Sequence, residues 1–122
     1  MDKVETRKIE IINKSKSAVY CFIATSDSFT KPYISYPQSS FDELNKVNSN
    51  SFIYIYSKER SWESFIDLEC YKGKLRLFIV PQDSVDKYGW KKVLEKSVYS
   101  KGYNLSISDL NNCEWKIIYD GN

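Results

Sequence analysis

Side-chain polarity in this 122-residue chain alternates with a period of two. That period, not the 3.6-residue repeat of a helix, dictates a fold built on strands. Lys8-Ile9-Glu10-Ile11 sets charges on one side and isoleucines on the other, the pattern of a strand with one wet face. Ala18 to Ala24 is apolar at both parities and needs cover on both faces. The polar run Asn13 to Ser17 between them predicts an antiparallel hairpin with a loop of about five residues. Phe52-Ile53-Tyr54-Ile55-Tyr56 is five β-formers in succession. On an open edge such a strand invites pairing with other chains, so it is expected inside a sheet. Lys74 to Val80 predicts another strand, entered through Gly73 and stopped by Pro81. Tyr103 to Ile107 and Trp115 to Tyr119 complete the set.

Helical signals are short. Ser61 is placed to cap a turn or two in which Trp62, Phe65 and Ile66 share one face, with Glu63 in the first turn. Asp83 or Ser84 is expected to cap a stretch running toward Lys96, interrupted at Gly89, with Trp90, Val93 and Leu94 as its apolar stripe. A helical turn at Phe41 to Leu44 and a Ser108-capped turn over Asp109 to Asn112 are weaker signals. The expected fold is mainly β, a β-rich α+β single domain over residues 1–122. Its expected architecture is an antiparallel β-sandwich of about six strands with two or three short helices. An open sheet backed by the helix near Trp90 is the alternative.

Composition narrows the chemistry. Histidine is absent, which removes Ser-His and Cys-His nucleophile pairs, His-ligated zinc and imidazole switching. Asp83 with Asp86, and Glu59 with Glu63, read as helix caps and first-turn charges, not as an acid–base pair. No P-loop, G-x-G-x-x-G, G-x-S-x-G or EF-hand loop occurs. No catalytic residue, metal ligand or cofactor is therefore expected, and the chain is not read as an enzyme. Cys21, Cys70 and Cys113 are odd in number and far apart, neither a disulfide scaffold nor a zinc site, although one disulfide plus a spare thiol fits an oxidising compartment.

Charge gives a formal net of +2, far from the field of a dedicated nucleic-acid binder. The distribution is uneven: residues 72 to 101 hold eight bases against three acids. Within them Lys91, Lys92 and Lys96, together with stacking tyrosines, imitate a single-strand groove, but nucleic acid is not the expected partner. No apolar run reaches the 18 or so residues of a membrane span, and the charged N-terminus lacks a signal-peptide core. With Met1 as the native start, the location expected is cytoplasmic.

Residues 25 to 50 look like a long functional or packed loop, carrying Pro32, Pro37 and scattered aromatic anchors. Tyr33 and Tyr36 in this loop are the candidate ligand-binding residues, because rings on a loop are free to stack on a sugar or a protein. Tyr54, Tyr56, Trp62, Trp90 and Trp115 lie on strand or helix stripes and are expected in the core.

Leu77-Phe78-Ile79-Val80, Asp83-Ser84-Val85, Trp90-Lys91-Lys92-Val93, Tyr103-Asn104-Leu105-Ser106, Asp109-Leu110 and Trp115-Lys116-Ile117-Ile118-Tyr119 follow one another in an ordered series. This series, with the opening Ile11-Ile12-Asn13 and Tyr20-Cys21-Phe22-Ile23, resembles a family of small uncharacterised proteins of gut anaerobic bacteria, many of them predicted envelope lipoproteins. The resemblance covers most of the chain outside residues 25 to 50. It implies a β-rich extracytoplasmic module and carries no catalytic motif to transfer. The chain departs from it in lacking a leader and in having Lys101-Gly102 where a bulkier basic pair is expected. The expected function is a non-catalytic binding or scaffolding module of a bacterial surface or envelope, its partner an unknown protein or a glycan. A carbohydrate-binding module using loop aromatics is the alternative.

Overall fold

A computed structural model describes residues 6–25, 46–57, 61–96 and 99–121. In chain order the elements are β1 (Lys8–Asn13), β2 (Val19–Ala24), β3 (Lys46–Val47), β4 (Ser51–Tyr56), α1 (Trp62–Glu69), a 3-10 turn (Tyr71–Gly73), β5 (Leu75–Pro81), α2 (Gln82–Tyr88), α3 (Trp90–Glu95), β6 (Lys101–Leu105), α4 (Ile107–Asn112) and β7 (Lys116–Tyr119). The strands form two sheets, one ordered β4-β1-β7 and the other β3-β2-β5-β6. The result is a mixed α+β fold with a sandwich of two sheets at its centre, as the alternation predicts.

The main core lies between the sheets. Ile9 and Ile11 of β1 and Ile117 and Tyr119 of β7 meet Val19, Cys21 and Ile23 of β2 and Leu75, Leu77 and Ile79 of β5. Helices α1 and α4 add Trp62, Phe65, Ile66 and Leu110 to the same cluster. The opposite parity of β2 and β5 builds a second cluster, in which Tyr20, Phe22, Ala24, Phe78 and Val80 are covered by Trp90 and Val93 of α3. Trp90 stands edge-on to Tyr20 with ring centroids 4.9 Å apart. This is why β2 and β5 are apolar at both parities: one face meets the other sheet and the other face meets helices. The sandwich and the helix-backed sheet are thus combined in three layers.

Several expectations are corrected. The first two strands do not pair as a hairpin: β1 pairs antiparallel with β4 and parallel with β7, while β2 pairs antiparallel with β3 and β5. Asn13 organises the turn at this crossing. It is fully buried at the end of β1, and its Nδ2 donates to the carbonyls of Ser17 and Val47. Its Oδ1 accepts from the Ser15 amide and hydroxyl, so the turn is wound around one side chain and carries the chain from one sheet to the other. α2 starts at Gln82 after Pro81, without a side-chain cap from Asp83 or Ser84. The Gln82 amide instead bonds the Ala18 carbonyl at 3.0 Å. The strand predicted over Tyr103 to Ile107 ends at Leu105, because Ser106 forms a reciprocal capping box with Asp109 and starts α4 there. The Ser61 cap of α1 and the break at Gly89 stand where the sequence places them. The turn expected at Phe41 to Leu44 lies outside the described residues. Among the described residues, no helix is long and apolar enough to cross a membrane.

Candidate functional site

Among the described residues, β4 is one of the two edge strands of its sheet, not an interior strand. Its parity puts Ile53 and Ile55 toward the core and leaves Phe52, Tyr54 and Tyr56 on the outer face, where they are 50%, 38% and 56% exposed. Tyr54 and Tyr56 are therefore surface residues, against the core placement expected for them. Trp62 and Trp90 are buried as expected, and Trp115 is half-buried.

Strand register extends this row into a patch. Phe52 lies opposite Ile12, which lies opposite Ile118 of β7, giving an apolar line across all three strands. Ile118 is 53% exposed. The next line is Tyr54, Glu10 and Lys116, and the last pairs Tyr56 with Lys8. Lys8 reaches diagonally so that its Nζ sits 4.4 Å from the centroid of the Tyr54 ring, the diagonal neighbour contact of an antiparallel pair. The three rings pack edge to face, at 5.3 Å and 64° for Phe52–Tyr54 and 6.3 Å and 62° for Tyr54–Tyr56. They form a ridge of tilted rings, not a single flat plane.

One end of the sheet is fixed by a second aromatic group. The Trp62 indole donates to the Arg7 carbonyl, the Arg7 guanidinium lies 4.8 Å from the Trp115 ring centroid, and Arg7 pairs with Glu63. Trp115 packs against Trp62 at 5.9 Å. Glu114 and Trp115 both have positive φ, 58° and 62°, a conformation that costs a non-glycine residue roughly 1–2 kcal/mol. The packing of Trp115, with its indole bonded to Asn111 Oδ1 at 3.1 Å, holds that turn and delivers β7 into register beside β1.

Tyr33 and Tyr36, the residues singled out by sequence, lie outside the described residues. Lys91, Lys92 and Lys96 are exposed on and just after α3. That helix lies beyond the four-stranded sheet, on the far side of the molecule from the aromatic ridge. All three cysteines are free thiols. Burial pushes the Cys21 thiol up to about 12 and the Cys70 thiol up to about 11, so both stay protonated at neutral pH and act as small apolar side chains. Among the described residues, no group of three or more Cys, Asp or Glu side chains is arranged to hold a metal ion. The signal that was available for the ridge is parity itself: aromatics occupy every even position of β4, while the odd positions hold Ser51, Ile53 and Ile55. No protein-family model, curated protein or solved structure matches this chain.

Proposed function

We propose that this chain is a non-catalytic binding or scaffolding module of a bacterial surface or envelope, and that it recognises a protein partner through the outer face of the three-stranded sheet. The envelope setting rests on the family resemblance of the sequence. The observation that carries the reading is the apolar line of exposed Phe52, half-buried Ile12 and exposed Ile118, with Tyr54 and Tyr56 beside it. Isolated exposed apolar residues are ordinary, but a contiguous aromatic patch on a rigid sheet is the usual mark of an interaction surface. Lys8, Glu10 and Lys116 flank the apolar line, which resembles the apolar centre and polar rim of a protein interface.

Ring orientation supports protein over sugar at this face. A pyranose stacks on a ring it can lie flat against, whereas rings inclined at 62–64° to one another offer notches suited to inserted side chains. The reading is tested by capture from an envelope fraction with the wild-type chain and with the Phe52→Ser, Tyr56→Ser double variant, whose fold is checked by circular dichroism. Loss of the captured proteins in the variant is expected. Capture that is indifferent to both substitutions, or a glycan-array signal at this face in place of a protein, rejects it.

A further inference from the structure

Among the described residues, β4 has a strand neighbour on one side only. Among the same residues, four strands form sheet edges: β4, β7, β3 and β6. β7 carries Lys116, β3 carries Lys46 and β6 carries Lys101, the charged residues that commonly blunt an edge. β4, Ser51-Phe52-Ile53-Tyr54-Ile55-Tyr56, has no charge, no proline, no glycine and six residues of length. The Ser51 amide donates to the Asn48 carbonyl and ties the first residue of β4 back toward β3.

The hydrogen-bond phase shows which backbone groups that edge presents. The Glu10 and Lys14 amides bond the carbonyls of Trp115 and Tyr119, so the even-numbered residues of β1 point their amides toward β7. The odd-numbered ones, Ile9 and Ile11, consequently face β4, where they lie opposite Ile55 and Ile53. Ile53 and Ile55 thus use their amides and carbonyls within the sheet, while those of Phe52, Tyr54 and Tyr56 point outward along the edge. Side chains on the exposed face and backbone groups on the open edge belong to the same three residues.

We propose that two copies of the chain associate through β4, antiparallel about a two-fold axis beside Tyr54. In this register Tyr54 lies opposite Tyr54 of the second copy and Phe52 lies opposite Tyr56, each as a hydrogen-bonded pair with Cα atoms about 5.5 Å apart. Ile53 falls opposite Ile55 on the core face. The product is one continuous sheet ordered β7-β1-β4-β4-β1-β7, with the two aromatic ridges side by side. A second copy fits better than an unrelated peptide because the strand is neutral and complementary to itself: reversing it leaves aromatics facing aromatics and isoleucines facing isoleucines. The pairing stands on this edge alone, whatever the face goes on to recognise.

Sedimentation equilibrium over a broad concentration range tests it. The wild-type mass is expected to rise from 14.3 kDa toward twice that value. Tyr54→Pro removes an amide that the isolated sheet does not use, at a position where an edge strand tolerates proline, and is expected to stay monomeric while remaining folded. Tyr54→Lys sets two ammonium groups against each other across the axis and is expected to weaken association at least tenfold, with partial recovery in high salt. Hydrogen exchange on the wild type adds a site-specific reading: protection of the Phe52, Tyr54 and Tyr56 amides rises with concentration while that of Ile53 and Ile55 does not. A wild-type monomer at every concentration overturns the proposal. So does a dimer that forms equally well with Tyr54→Pro or Tyr54→Lys, or one without the alternating protection.

Discussion

Asn13 has no exposed surface, yet every polar atom of its side chain has a partner drawn from the turn it organises or from β3. A buried amide satisfied in this way stabilises modestly in net terms, but removing it strands the groups it served. Asn13→Ala leaves the Val47 carbonyl buried without its donor and frees the Ser15 amide. We expect a loss of roughly 2–3 kcal/mol in urea unfolding, larger than a surface substitution gives. Asn13→Asp is expected to be worse at neutral pH, since it turns a carboxylate toward two carbonyl oxygens. Sequence alone presents this residue as one more polar member of a turn. Nothing local distinguishes an asparagine that faces water from one that a distant strand covers.

At the scale of elements, α2 and α3 are two short helices because Gly89 stands between them at φ 81° and ψ 154°, a region that essentially only glycine enters. A Cβ at this position meets nothing within 4 Å, so the penalty of a side chain is purely conformational. Gly89→Ala should cost about 1–3 kcal/mol in thermal or urea unfolding, with no change in oligomeric state. This break was legible, because a glycine inside a helical stripe has few other roles. The strands were legible too, since period-two alternation is a local property. Their partners were not. β1 and β2 are neighbours in sequence but belong to different sheets, and the edge position of β4 depends on β7, which arrives from far along the chain. The exposed aromatic face was hidden for the same reason: aromatics on a strand read as core until the sheet shows which side lacks a neighbour.

Across the whole molecule, the layers differ in how firmly they are held. β2 and β5 are buried on both faces from Val19 to Ala24 and from Leu75 to Val80, whereas α2 has no buried residue and no side-chain cap. Regions with few buried apolar contacts open first and central strands open last. Among the described elements, amide exchange is therefore expected to be slowest in β2 and β5 and, of the helices, fastest in α2. Equal protection of α2 and β5 would contradict this ordering of the layers.

The parallel pairing of β1 with β7 has a bearing on how the protein is made. The ribosome delivers β1 before any other described strand and β7 after all of them, and the three-stranded sheet is closed only by their meeting. A nascent chain must hold Ile9 and Ile11 without their β7 neighbour until translation has passed Tyr119. Closing contacts of such large sequence separation slow folding, so chains interrupted shortly before β7 emerge with an unsealed first strand and become natural clients for chaperones and proteases.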